Sequence, residues 1–189
     1  MADIVADWGQ GAHSALVEAG IRQLPYVPDG GLDTLLRLCE EDNQTRPTML
    51  SSEQEGVGVA AGAWLGGERS ALLMQSSGVG NCINALSLVR TCRFPLLMIV
   101  TMRGEWREFN PWQLPMGQNA GAHLEQAGVI VERVESAEAA GETVTGAAAL
   151  AFETMSAVAV LIGQRAIGVK HFGTPEDGSG SINEGGGNA

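Results

Sequence analysis

Residues 49–84, MLSSEQEGVGVAAGAWLGGERSALLMQSSGVGNCIN, decide the fold of this chain. A polar turn with two serines opens the stretch, and either serine can cap the helix that follows it. That helix consists of small residues over positions 56–63, and three of these eight residues are glycine. Each glycine disfavours a helix by about 1 kcal/mol relative to alanine, so the composition indicates that another backbone or a flat ligand approaches closely. A short apolar strand at 71–74 and a polar, glycine-rich turn at 75–81 complete the stretch.

Length and charge limit what the chain can do. Its 189 residues predict a single domain over residues 1–171 and a flexible, acidic, glycine-rich tail over residues 172–189. The net charge of −11 argues against nucleic acid or an anionic membrane surface as a partner, although a few local groups can still hold a small anion. No apolar run approaches the ~18 residues of a membrane span, and the first ten residues lack the features of a signal peptide.

The cysteines and histidines indicate no metal site. Cys39, Cys82 and Cys92 lack the spacing of metal ligands and are typical of reduced thiols in the cytoplasm. The three histidines are scattered along the chain and have no partner spacing. We therefore expect a cytoplasmic protein that binds no metal with its own side chains.

Strands and helices alternate along the sequence. Two continuous apolar runs, PLLMIVTM at 95–102 and AVAVLI at 157–162, are typical of strands buried on both faces of a parallel sheet. Helices are expected at 32–41, where the pattern is amphipathic, and at 138–156. The alternation predicts an α/β fold, a three-layer doubly wound parallel sheet with helices on both faces. The other predicted strands are 21–27, 48–50, 71–74 and 129–134, and the other predicted helices are 10–20, 82–92 and 123–127.

Polar residues come directly after four of the predicted strands. They are Asp29, Glu53, the turn 75–81 and the segment 103–105. Ligands of doubly wound sheets bind beyond the carboxyl ends of the strands, so we expect these residues to line one edge. A loop predicted for residues 104–120 is long enough to act as a lid over that edge or as an interface.

Two acids stand at the start of the small-residue helix. Glu53 and Glu55 are separated by about 200° of helix rotation, so at most one of them faces a pocket. The other is then a solvated first-turn acid, which the helix dipole favours. The pattern by itself leaves open which is which. Gly56, Gly58 and Gly62 do not match a dinucleotide fingerprint, because they lie inside the helix and not in the turn before it.

The segment at residues 75–81 presents backbone N–H groups and hydroxyls at a helix start, which is typical of an anion nest. Tight turn chemistry is the alternative explanation. The GKS or GKT of a P-loop is absent from the sequence.

Four ordered segments resemble a known family: SEQEGVGVAAGAW at 52–64, LLMQSSGVGN at 72–81, MRGE at 102–105 and EFNPWQLPMG at 108–117. Together they are similar to the pyrimidine-binding domain of thiamine-diphosphate-dependent decarboxylases. The alpha subunits of sulfopyruvate decarboxylases are the members they resemble most, and phosphonopyruvate decarboxylases are similar in the same segments. The resemblance implies the thiamine-diphosphate-binding fold and a 2-oxo acid substrate with a strongly anionic tail.

The resemblance also implies roles for individual residues. The acid that matches the family's glutamate is Glu53, nine residues before Gly62, and its protonated carboxyl would hydrogen-bond the aminopyrimidine and so activate thiamine diphosphate. A small-residue, apolar surface favours the neutral acid, whereas the helix dipole opposes it. The implied cofactor-binding residues are Glu53, Gln75, Ser76, Ser77 and Gly78, and the implied substrate-binding residues are Asp29, Asn81 and Arg103.

One motif of the family is missing. Its Mg²⁺ and diphosphate motif, GDG followed by a pair of asparagines, does not occur in this sequence. The resemblance therefore implies half of a site, completed by a beta subunit that carries the motif and supplies Mg²⁺. Gly56, Val57, Ala60 and Ala61, on the Glu53 side of the helix, would let another subunit approach closely in a homodimer or hetero-oligomer.

The implied function is that of the alpha subunit of a two-subunit decarboxylase that converts sulfopyruvate to sulfoacetaldehyde and CO₂ and is inactive without its partner. Two alternatives stay open. One is a subunit of a phosphonopyruvate decarboxylase or of another split thiamine-diphosphate lyase. The other is a non-catalytic module that binds partners with the same fold.

Overall fold

The computed structural model describes residues 7–168. The predicted tail at 172–189 and the two ends of the predicted 1–171 domain lie outside the described residues. The strands are β1 (Ile21–Tyr26), β2 (Arg46–Met49), β3 (Arg69–Gln75), β4 (Leu96–Thr101), β5 (Ile130–Val134) and β6 (Ala157–Ile162). They form one sheet in the order β2-β1-β3-β4-β6-β5, and every neighbouring pair is parallel.

Helices connect the strands over the same part of the chain. Their bounds are α1 (Trp8–Glu18), α2 (Asp33–Glu41), α3 (Glu53–Leu65), α4 (Ser76–Cys82), α5 (Ser87–Cys92), α6 (Leu114–Gln126), α7 (Ala140–Thr154) and α8 (Gln164–Ile167). Short 3-10 turns at Pro111–Gln113 and Ala137–Ala139 precede α6 and α7. Among residues 7–168, no helix combines the length and apolar character that crossing a membrane requires.

Each face of the sheet is covered by helices, as the sequence predicts. Leu73 and Ile99 pack on one face with residues of α1, α2 and α7. Their strand neighbours Leu72 and Met98 point the other way and pack with residues of α3, α4, α5 and α6. Strands β4 and β6 are buried along their whole length, which explains their uninterrupted apolar sequence. The three-layer, doubly wound α/β prediction is confirmed.

The turn predicted for residues 75–81 is wrong, because residues 76–82 form helix α4. Gln75 precedes it in extended backbone, with φ −89° and ψ 165°. Val79 and Cys82 are fully buried in the core on that face of the sheet. Burial of this face stabilises a helix that its serines and glycines would not form by intrinsic propensity. The helix predicted at 82–92 is correspondingly shorter and begins at Ser87.

The loop predicted for residues 104–120 is also wrong in its second half, where α6 begins at Leu114. Pro115 lies in the first helical turn, where its missing N–H leaves no hydrogen bond unmade. Gly117 lets α6 pack directly on the strand-end segment, since a Cβ there would lie 2.7 Å from the carbonyl carbon of Arg103. Both residue types are typical of loops, and here they serve a helix start and a close helix contact.

Three of the four small residues of α3 predicted to face another subunit are covered by the chain's own sheet. Gly56, Val57 and Ala60 are buried against the chain's own sheet. A Cβ on Gly56 would overlap the side chain of Leu72 in β3. The glycine is therefore explained by close packing of helix on strand within one chain.

Candidate active site

The fold resolves the ambiguity between the two acids of α3. Glu53 is the first residue of the helix and only 6% exposed. Glu55 is exposed and its Oε2 accepts a hydrogen bond from the backbone N–H of Ser51 at 3.2 Å. Ser52 is the N-cap residue, but its side chain makes no capping hydrogen bond. Glu55 therefore provides the side-chain hydrogen bond at the start of the helix, and Glu53 faces the carboxyl edge of the sheet.

The Glu53 carboxyl is held by α4. Asn81 Nδ2 donates a hydrogen bond to Glu53 Oε2 at 2.7 Å. The other side of the carboxyl lies against the backbone of Gly78, where a Cβ would lie 2.5 Å from Glu53 Cγ and 2.6 Å from Cδ. Burial, followed by the nearby charge of Glu53, raises the pKa of the Cys82 thiol to about 12. The thiol therefore stays protonated beside the acid and is not a nucleophile at neutral pH.

The end of β3 connects this acid to the next strand end. Ser76 is fully buried, and its Oγ accepts a hydrogen bond from the backbone N–H of Arg103 at 3.1 Å. Gln75 Oε1 accepts from Gln113 Nε2 at 3.1 Å. Ser77 follows as a half-buried residue in the first turn of α4. The segment predicted from the sequence is thus at the site, as part of a helix.

Gln113 is a site residue that the sequence did not reveal. It is only 4% exposed, and its Oε1 has no hydrogen-bond partner among the described residues. It lies within the segment 108–117 that carries part of the family resemblance, but the resemblance implies no role for it. A buried acceptor without a partner, beside Gln75, is an unusual feature that a bound ligand would explain.

Asp29 and Arg103 form the second polar group at this edge. Asp29 Oδ2 accepts from the hydroxyl of Thr101 at 2.9 Å and from the backbone N–H of Gly31 at 3.0 Å. Arg103 Nη1 lies 3.7 Å from Asp29 Oδ1, and the two side chains are only 12% and 5% exposed. All the residues predicted for the site therefore lie at the carboxyl ends of the strands, in two polar groups joined by the contact of Ser76 with Arg103.

Glu108 organises the second group and was also missed from the sequence. Its carboxylate accepts hydrogen bonds from Arg103 Nε at 2.9 Å and Nη2 at 3.2 Å, and from Gln164 Nε2 at 3.0 Å. Backbone N–H groups of Gly104 and Asn110 add two more, at 3.2 and 3.1 Å. Burial raises the pKa of this carboxyl, but the hydrogen bonds from Arg103, Asn110 and Gly104 outweigh it and lower the pKa to about 2.

Glu108→Gln is expected to lower the free energy of unfolding by about 2–4 kcal/mol at pH 7, because it leaves Arg103 buried with a weaker counter-charge. The pKa of Glu108 is depressed in the folded state, so its contribution is complete above its ordinary value of 4.5 and is lost as the pH falls towards about 2. Urea unfolding at pH 7 and pH 3 measures this difference, which should shrink at pH 3.

The matched control is Glu41→Gln, which removes an exposed pair with Arg37 and should change stability by less than about 1 kcal/mol. An equal effect of the two substitutions at pH 7 would show that the Glu108 network contributes no more than a surface ion pair.

Comparison with known proteins identifies the class of protein that this fold and site define. Residues 8–120 match the family described as thiamine pyrophosphate enzyme, N-terminal TPP binding domain. The chain belongs to this family, in the group that contains the alpha subunits of sulfopyruvate decarboxylase. It is 34% identical over 154 residues to sulfopyruvate decarboxylase subunit alpha of Methanococcus maripaludis, covering 81% of this chain and 92% of that one.

Two further similarities bear on its architecture. A sulfopyruvate decarboxylase of Methanosarcina acetivorans is 37% identical over 113 residues, which cover 59% of this chain and 29% of that protein. A 2-oxoglutarate:ferredoxin oxidoreductase from Magnetococcus marinus superposes with a TM-score of 0.67 at 13% identity, over 87% of this chain and 30% of that one. This second likeness confirms the fold and carries no further information on function.

The residues present fit the aminopyrimidine of thiamine diphosphate. Glu53 offers a buried carboxyl, and the missing side chain of Gly78 leaves the space that this carboxyl occupies. Gln113 adds a buried acceptor that lacks a partner among residues 7–168. In the same residues, His, Cys, Asp and Glu side chains form no cluster that could hold a metal ion. The individual assignments of Glu53, Gln75, Ser76, Ser77 and Gly78 to the cofactor, and of Asp29, Asn81 and Arg103 to the substrate, stay predictions.

Proposed function

We propose that this chain is the pyrimidine-binding alpha subunit of a two-subunit, thiamine-diphosphate-dependent decarboxylase that converts sulfopyruvate to sulfoacetaldehyde and CO₂. The observation that carries the proposal is the position of Glu53. Its buried carboxyl is fixed by Asn81 against the bare backbone of Gly78, at the edge of the sheet where ligands of this fold bind. An acid held in this way suits proton exchange with a ring nitrogen and does not suit a purely structural helix start.

The chain's own residues would divide the work as follows. Thiamine diphosphate, when bound, supplies the carbon nucleophile and the electron sink for the loss of CO₂. Glu53 would hold a proton on its carboxyl at the pyrimidine ring, and Asn81 would keep that carboxyl in place. Asp29 and Arg103 would present a carboxylate and a guanidinium to the substrate from the neighbouring strand ends. The helix packing around Ser76 would exclude water between the two groups.

A second chain would complete the site. The sequence contains no GDG motif for the diphosphate and its Mg²⁺, and the described residues hold no metal-binding cluster. The match to the Methanosarcina acetivorans decarboxylase covers only 29% of that protein, which supports an arrangement where further sequence supplies the rest of the enzyme. We propose that a beta subunit carries the GDG motif and supplies Mg²⁺.

Co-expression with a chain that carries GDG and the asparagine pair tests the proposal. The purified complex, with thiamine diphosphate and Mg²⁺, is expected to release CO₂ from 3-sulfopyruvate and to produce an aldehyde that an alcohol dehydrogenase reduces with NADH. Neither chain alone should show turnover. Faster turnover of 3-phosphonopyruvate would instead make the complex a phosphonopyruvate decarboxylase. If no 2-oxo acid is decarboxylated by a complex that does assemble, the chain is a non-catalytic partner-binding module.

A further inference from the structure

A small cleft lies beside Asp29 and Arg103, and Glu53 is not among the residues that line it. It encloses about 80 Å³, well below the 300–1,000 Å³ of pockets that bury a whole drug-sized ligand. The cleft therefore has room for one small group of a ligand. The residues that matter for its chemistry are Asp29, Arg103, Trp106, Arg107, Glu108 and Gln164.

Arg103 and Arg107 line this cleft, and Arg165 contacts the ring of Trp106, which lines it too. The three arginines differ in how their charge is balanced. Arg103 already pairs with Glu108 and Asp29, and its side chain is 12% exposed. Arg107 and Arg165 are exposed, and neither makes an ion pair within residues 7–168. Both guanidinium groups lie over the ring of Trp106, at 5.5 and 5.3 Å from its centroid. In a chain with a net charge of −11, two cations that contact the same aromatic ring without an ion-pair partner among residues 7–168 give this region a local positive charge.

The backbone of this segment is fixed in an uncommon conformation. Arg107 has φ +51°, in the left-handed region that side chains other than glycine rarely adopt. The segment is pinned by Gln164, whose Oε1 accepts from the backbone N–H groups of Glu105 and Trp106, both at 2.7 Å. Its Nε2 meanwhile donates to Glu108. Strained residues that the surroundings hold in place are concentrated at ligand sites, where they pre-organise a contact.

We propose that Arg107, together with Arg165, binds the sulfonate or phosphonate tail of the 2-oxo acid and so selects the substrate. The inference rests on the proposed function and names the part of that site which recognises the tail. Arg103 is less suited to this task, because two carboxylates already neutralise it. The reacting end of the substrate would lie towards Asp29. Asp29 contacts Arg103, whose backbone contacts Ser76 at the start of α4, the helix that packs against the Glu53 carboxyl.

Arg107→Gln in the assembled complex tests the inference. The KM for 3-sulfopyruvate is expected to rise about 10- to 100-fold, the loss that follows from removing a charge-assisted contact. The kcat/KM for pyruvate, which has no tail, should stay within twofold. Arg165→Gln should act in the same direction, and Arg107→Lys should fall between, because a single ammonium keeps the charge without the guanidinium fork. The control Arg90→Gln changes an exposed arginine of α5 that does not line this cleft, and it should have no effect.

Other outcomes would overturn the inference. If Arg107→Gln and Arg165→Gln both leave the KM for 3-sulfopyruvate within twofold, the arginines do not recognise the tail. The same conclusion follows if the two substitutions lower kcat/KM for pyruvate as much as for 3-sulfopyruvate. If they weaken binding of thiamine diphosphate instead, their ligand is the diphosphate.

Failure of the proposed function is separable from failure of the inference. If the wild-type complex decarboxylates nothing, the inference can still be tested by binding. The complex is titrated with 3-sulfolactate and with lactate, and binding is measured by tryptophan fluorescence and calorimetry. Selective binding of 3-sulfolactate that weakens at least tenfold in Arg107→Gln supports the anion site. Equal binding of 3-sulfolactate by the wild-type and Arg107→Gln complexes, or no binding by the wild type, rejects the inference.

Discussion

Glu53→Gln is expected to lower kcat of the assembled decarboxylase by about 10³-fold, within the 10²–10⁴ range of general acid–base catalysis. Glutamine has the same shape and can still accept the hydrogen bond that Asn81 donates to Glu53 Oε2. It cannot exchange a carboxyl proton with the pyrimidine ring. Exchange of the cofactor's C2 proton for deuterium, followed by NMR after acid quenching, should slow in parallel with turnover, while the complex still assembles.

The control for this substitution is built into the same helix. Glu55 carries the same carboxyl two residues further on, is exposed, and contacts the backbone of Ser51. Glu55→Gln should therefore leave turnover within about twofold and change stability only slightly. Equal activity of the Glu53→Gln and wild-type complexes would mean that the acid is structural and that the catalytic role proposed for Glu53 is wrong.

Gly78→Ala is expected to lower kcat about 100-fold with the fold intact. The added Cβ would lie 2.6 Å from Cδ of Glu53, closer than any real contact, so the carboxyl has to leave the position in which Asn81 holds it. A displacement of about 1 Å from productive geometry is enough for a loss of this size. Turnover and the C2 exchange rate measure the effect, and circular dichroism checks that the helix content is unchanged.

Gly80→Ala is the matched control, because it adds the same methyl group to the same helix. Its Cβ would meet only the terminal methyl of Met116, at 3.0 Å, and a flexible side chain can move away. Activity within twofold of wild type is expected. Similar losses in both variants would indicate that α4 tolerates no alanine at all, and the explanation through Glu53 would fail.

The site residues that the sequence predicts all come directly after strands or at their ends. Asp29, Glu53, Gln75 and Arg103 were assigned to one edge because parallel strands end at the same side of a sheet. The contacts of Asn81 with Glu53 and of Asp29 with Arg103 confirm that they meet there in two groups. The choice of Glu53 over Glu55 needed either the family resemblance or the structure, since helix rotation only shows that the two point apart.

The parts that were missed depend on contacts between distant residues. Glu108 is bonded by Gln164, 56 residues later in the chain, and Gln113 reaches Gln75, 38 residues earlier. No local pattern predicts such a pair. Helix α4 and the first part of α6 were missed for a related reason, since their serine, glycine and proline residues favour turns until burial of Val79 and of Gly117 decides otherwise.

By itself, the sequence determined the layers of this protein and the edge at which its polar residues collect, because apolar runs and the alternation of strands with helices can be read from the local sequence. The tertiary structure alone decided that Asn81 fixes the Glu53 carboxyl against Gly78, that Glu108 neutralises Arg103, and that Arg107 contacts Trp106 without an ion-pair partner among residues 7–168. Burial and charge balance depend on what other segments bring to a residue. They are therefore settled only when the strands and helices pack together.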